Sequence, residues 1–290
     1  MNTIKKALLS ARTSYTTWLF SSRLLVFGFV FMFMFVYFIK PMNELSGMLD
    51  TPVNILEPFI AIANNRYALP LLILGFLVLI SDFPSLNDFA TFSLFRTGRM
   101  AWLVGQIIFL AMSGLTYIMF ILISSMIFVS QNAYILNAWS FVQKRLSLGS
   151  EESLSLQMLY PFARLDNSVL VQSRPYEALF NGIILILLFE IAVGCVQMIF
   201  ALNMKKIISV FINLSACATG LVLMVIDVRL KWLFPISNTV FGWHYDAAYN
   251  RTNFPIYASY IYFTVIIAIL IAILSGITKR CSFHITGGTE

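Results

Sequence analysis

The sequence predicts an all-α integral membrane protein, and three observations predict it. Of 290 residues, 59% are hydrophobic and 11% charged, with a mean hydropathy of +0.84, against a charged fraction of about 25% in soluble domains. Six apolar runs punctuate the chain, most of them near the length that a helix rising 1.5 Å per residue needs to cross a bilayer. Lys and Arg are spread unevenly over the segments between those runs, which is how membrane topology is written in sequence.

The chain opens on a basic stretch, Met1 to Arg23, with Lys5, Lys6, Arg12 and Arg23. Within it Ile4, Leu8, Ala11, Tyr15, Trp18 and Leu19 step by three or four residues. That spacing predicts an amphipathic helix lying among anionic headgroups. The first apolar run starts at Leu24 and ends at Lys40-Pro41 without small residues of a cleavage site, so it reads as a retained span.

Spans are expected at 24–39, 67–80, 102–130, 178–200, 207–226 and 256–277, forming one transmembrane domain over 1–290. The second is short, and Ile60 to Arg66 could lengthen it. The third exceeds what a crossing needs and should tilt or project. With the N-terminus inside, the inner segments carry ten Lys and Arg against three acids, whereas the longer outer loops carry nine of each. Both termini are therefore expected on the cytoplasmic side. The basic balance reads as topology and lipid contact, with no argument for nucleic acid.

Between spans two and three, Ser81 to Gln106 holds Pro84, Asp82, Asp88, Arg96 and Arg99. Leu86, Phe89, Ala90 and Leu94 recur there at helical spacing, with Ser93 a polar interruption of the same face. A short amphipathic element of this kind requires a docking partner. Gly98 supplies a break before span three. Plain positive-inside anchoring also accounts for the two arginines.

Of the outer segments, Lys40 to Arg66 and Gln131 to Glu177 have room for short surface helices. The charges of the latter, Lys144, Arg145, Glu151, Glu152, Arg164, Asp166 and Arg174, read as a solvated face. Asp227 to Pro255 differs, because Trp232, Phe234, Phe241, Trp243, Tyr245 and Tyr249 alternate with polar groups. Either a pair of short helices dips into the membrane there or an ordinary aromatic belt lies at its surface. Asn250-Arg251-Thr252 matches a glycosylation acceptor.

No motif for hydrolytic or nucleotide chemistry is present: GxSxG, HExxH and the phosphate-binding GxxxxGK[ST] are all missing from the sequence. The chain is expected not to be an enzyme by itself and to bind no cofactor. His244 and His284 lack metal-ligand spacing, and Cys195, Cys217 and Cys281 suggest no disulfide framework. Glu190 is the one acid deep within a span. It is a candidate for the cargo pathway or for gating, against the plainer reading of a hydrogen-bonded carboxyl tied to a neighbouring helix. Ala268, Ala272 and Gly276 in span six, and Ala216 and Gly220 in span five, stack small residues as packing seams within the fold, with a dimer seam as the other reading.

Ser81-Asp82-Phe83-Pro84, then Leu94-Phe95-Arg96-Thr97-Gly98-Arg99 and Trp102-Leu103-Val104-Gly105-Gln106, resemble the SDAP and RTGRxxWLxGQ pattern of permease-like proteins of Gram-positive bacteria. Phe83 departs from that pattern, which has a small residue there. Together with the layout, the chain resembles the permease subunit of a bacterial type-2 ABC exporter. The resemblance implies an elbow helix before span one and a cytoplasmic coupling helix between spans two and three. That helix would dock in a groove of a separate ABC ATPase through Leu86, Phe89 and Leu94, with Arg96 and Arg99 pairing with acids or lipid phosphates. ATP and Mg would act through that partner, a second permease copy or related chain would complete the complex, and the cargo would be a drug, peptide or lipid. A non-transporting scaffold, immunity or sensor protein working through its outer loops is the competing expectation.

Overall fold

The computed structural model describes residues 3–84, 94, 96–147, 151–203, 206–246 and 251–280. It is almost entirely helical. α1 is Thr3–Leu19, α2 Ser22–Leu49, α3 Glu57–Asn64, α4 Ala68–Leu79 and α5 Arg99–Val129. Three short helices follow, α6 Phe141–Ser147, α7 Glu151–Leu159 and α8 Asn167–Gln172. The chain closes with α9 Pro175–Leu202, α10 Lys206–Ile226, α11 Pro235–Thr239 and α12 Ile256–Arg280. Among the described residues, α2, α5, α9, α10 and α12 are long and apolar enough to cross a membrane. A sixth crossing exists if α3 and α4, bent by 88° at their junction, count as one. The 12 residues of α4 rise about 18 Å, short of a bilayer core of about 30 Å. Residues 60–64 can lengthen it only through that bend, as part of a broken span.

α2 continues beyond the expected end at Ile39 as far as Leu49. Pro41 lacks an N–H and crowds the carbonyl four residues back, which ordinarily breaks a helix. Here the turn widens to a π-helix over Phe35–Ile39, and the helix stops only where Asp50 turns left-handed at φ 46°.

Both described ends lie at one end of the bundle, the terminal face. α1 runs along the first half of α5 with its small side, Ala7, Ser10 and Ala11, buried. A Cβ on Gly105 would stand 2.7 Å from the Ala7 carbonyl oxygen, so the two backbones nearly touch. Gln106 donates to Ser14 at 3.1 Å, and the Tyr15 hydroxyl meets that of Thr116 at 2.6 Å. Ile4 and Leu8 of the apolar stripe are 66% and 52% exposed, while against α5 close helix approach selects small residues over bulky ones.

The opposite end is covered by a folded cap, on whose surface Lys144, Asp166 and Arg174 are exposed, as expected of a solvated face. β1, Val53–Asn54, pairs in parallel with β2, Ala133–Tyr134. Around this joint Met42, Leu45, Val53, Phe59, Val142 and Leu146 form an apolar core. The Asn54 amide donates to the Leu136 and Ala138 carbonyls at 2.6 and 3.0 Å. Gln143 bridges Ala163 and Leu165 at 2.8 and 3.2 Å. Several main-chain groups that the irregular cap frees are thus met by carboxamides.

After α10 the chain folds back into the bundle. A Cβ on Gly220 would lie 2.4 Å from Ile236 Cγ2, and Ile236 to Thr239 are fully buried. His244 Nε2 lies 2.8 Å from Ser259 Oγ, which donates to Asn238 Oδ1 at 2.8 Å. A short buried helix is thus present in this segment. In α12, Ala268, Ala272 and Gly276 are exposed, and nothing stands within 4 Å of a Cβ on Gly276. They therefore form no seam within this chain, whereas Gly220 does.

Candidate functional site

At the terminal face, a segment whose ends are both tied to the helix bundle joins α4 to α5. At its start, the Arg23 guanidinium pairs with the Asp82 carboxylate, and Trp18 Nε1 donates to the Leu79 carbonyl at 3.0 Å. At its end, Leu94 is buried and its carbonyl accepts from the Gly98 N–H at 2.9 Å. Gly98 has φ +87°, a conformation that glycine adopts without strain. Its carbonyl then accepts from Trp102 N–H at 2.9 Å, starting α5. Arg99 donates to the Lys279 carbonyl near the end of α12, while Arg96 is exposed. Leu86 and Phe89 lie outside the described residues. A hollow of about 210 Å³ opens beside the first tie, between Trp18, Phe83 and Phe109, with Ser14, Thr17 and Arg23 on its wall.

Inside the bundle, Glu190 of α9 is fully buried, and neither carboxylate oxygen has a hydrogen-bond partner. It faces α5 where Gly114 leaves room; a Cβ there would stand 2.6 Å from Oε2. Three residues further along α5, the Tyr117 hydroxyl donates to the Leu72 carbonyl at 3.1 Å. Gly75 of α4 makes the matching space, since its Cβ would stand 2.5 Å from that hydroxyl. Two turns along α9, Gln197 accepts from Ser209 of α10, but its Nε2 has no partner. Asn213 reaches the Val193 carbonyl only at 3.5 Å. Groups from four helices, α4, α5, α9 and α10, thus form a polar lane in which Glu190 and Gln197 keep unspent capacity. Unmet polar groups are costly in such surroundings. The lane is suited to holding a proton or a water.

Spacing singles out Glu190 but misses Gln197, Ser209 and Asn213, because uncharged polar residues are common in spans. A signal existed: Glu190 and Gln197 stand seven apart, on one face of one helix. The neighbouring free thiols, Cys195 and Cys217, are buried. Among the described residues, no three His, Cys, Asp or Glu side chains converge on a metal position. Comparison with family models, curated proteins and solved structures finds no match for this chain.

Proposed function

We propose that the chain is the membrane subunit of an ATP-driven exporter of the type-2 ABC class, moving a hydrophobic or amphipathic cargo. The observation that carries this reading is the double anchoring of the segment after α4. One end is fastened to α2 through Arg23 and Asp82, the other to α12 through Arg99 and the Lys279 carbonyl. A partner pushing on the residues between would move α2, α5 and α12 together, which is what converting ATP hydrolysis into helix motion demands. In this reading the terminal face is cytoplasmic in a bacterial membrane, by the charge count. Leu86 and Phe89 dock on the ATPase, and ATP and Mg belong to that partner; Leu94, expected on the same face, is instead buried within this chain and drops out of it. The exposed small-residue side of α12 supports a second permease copy. Glu190 and the lane around it would meet polar parts of the cargo or bear on gating.

The test is recovery of a P-loop ATPase with the solubilised chain and its native neighbours. Arg96→Glu is the cleaner charge reversal, since Arg99 also ties α12; it should reduce ATPase recovery at least tenfold while the chain stays folded. Full recovery with Arg96→Glu would remove that residue from the docking surface, and finding no ATPase at all would sink the reading. A non-transporting sensor or immunity protein is the second reading, favoured by the folded cap. It expects outer-ligand binding that is indifferent to Arg96.

A further inference from the structure

The cap contains two adjoining cavities, about 280 and 390 Å³, which share Arg164, Asp166 and Trp243. Their charges are not equally committed. In the larger cavity Lys231 pairs with Asp227, and its ammonium lies 4.6 Å from the Trp243 ring centre. In the smaller, Asp166 faces Arg66 and Arg164 without an ion pair to either among the described residues. Arg66 rests on the Tyr67 ring at 4.9 Å. Arg164 gives one N–H to Gln157 at 3.0 Å and leaves its buried Nε without a partner. Asp166 is exposed and lines the same cavity as Arg66 and Arg164. The three charges therefore feel one another across open space.

We propose that this cavity binds the zwitterion of a free α-amino acid, its carboxylate held by Arg66 and Arg164, its ammonium by Asp166 and its side chain against Trp243. Each half of the site argues against a simpler ligand. An anion alone would meet the Asp166 carboxylate, and a cation alone would meet two guanidinium groups. A neutral sugar would cover all three without neutralising any. Guanidinium groups match a carboxylate in a forked geometry, and an ammonium has three donors for one carboxylate. Convergent polar groups beside an aromatic wall are the usual makeup of a small-molecule pocket, and 280 Å³ accommodates an amino acid. The site lies on the cap, away from the terminal face, and does not depend on the transport reading.

The full chain in lipid nanodiscs would be titrated calorimetrically with apolar and aromatic L-amino acids. The best binder would then be compared with its N-acetyl derivative, which lacks the ammonium, and its amide, which lacks the carboxylate. Saturable binding, weakened at least tenfold by either change, is expected. Asp166→Asn should erase the penalty for N-acetylation, and Arg164→Gln the penalty for the amide, with the unfolding temperature as control. If no amino acid binds, if both derivatives bind as well as the parent, or if glucose binds in their place, the proposal fails. The derivative series on the unaltered chain decides even where a variant does not fold. ATPase recovery, measured on the same sample, separates failure here from failure of the transport reading.

Discussion

Glu57 and Glu190 are both fully buried carboxylates in helices, and they live under opposite conditions. Glu57, in the cap, accepts the Ser140 N–H and hydroxyl at 2.6 Å each, binding two segments that are 83 residues apart. Glu190, in the bundle, accepts nothing. A carboxylate whose capacity is filled by its own chain is a fastening. One left unfilled at the same burial has a cost that folding does not recover, and a function is the natural reason to keep it.

The largest break in this contrast should come from Glu57→Ala. It leaves the Ser140 donors unpaired in a dry site and opens a cavity, costing about 2–4 kcal/mol. Urea unfolding and protease sensitivity of the cap would measure it. Slightly smaller is the pH term. Burial raises the Glu57 carboxyl from 4.5 to about 7, with the Ser140 bonds opposing. Between those values the folded chain keeps a proton that the unfolded chain has released. This contribution is thus fully favourable below pH 4.5 and declines as pH rises to about 7, by about 3 kcal/mol. Glu57→Gln should flatten the stability profile over that window, and an unchanged slope would assign it elsewhere.

Gly114→Ala comes next. The new methyl would stand 2.6 Å from the Glu190 carboxylate, so a loss of about 1–3 kcal/mol is expected. Combining it with Glu190→Ala should recover much of that loss, and strict additivity would mean that the clash lies with another atom. Smallest in stability is Glu190→Leu, expected within about 1 kcal/mol of the parent or above it, with transport lost. Transport at the parental rate would make Glu190 a tolerated passenger.

The long helices were legible because about 20 consecutive apolar residues leave few alternatives, and Glu190 was legible as the one acid in such a run. The cap was not. Its joints, Asn54 to Leu136 and Glu57 to Ser140, connect segments that α4 and the whole of α5 separate, and no local periodicity records such a pairing. The charges of Lys144, Asp166 and Arg174 read as solvated and are exposed, but charged rims of folded layers and of loops look alike in sequence, so they did not reveal the layer beneath. For α1 the apolar stripe was legible and its packing on α5 was not: amphipathicity reports which sides differ, not that the small side meets protein. The Arg66, Arg164 and Asp166 group was beyond reach for the same reason as the cap that assembles it.

The lean of α1 on α5 sets an order for biosynthesis. Its partner surface, from Gly105 to Thr116, is made some ninety residues after α1 itself, by which time two further hydrophobic segments have been synthesised. α1 must therefore wait, and its exposed Ile4, Leu8 and Leu9 give it a lipid surface to wait on. Ala7, Ser10 and Ala11 meanwhile stay free for the helix that arrives later.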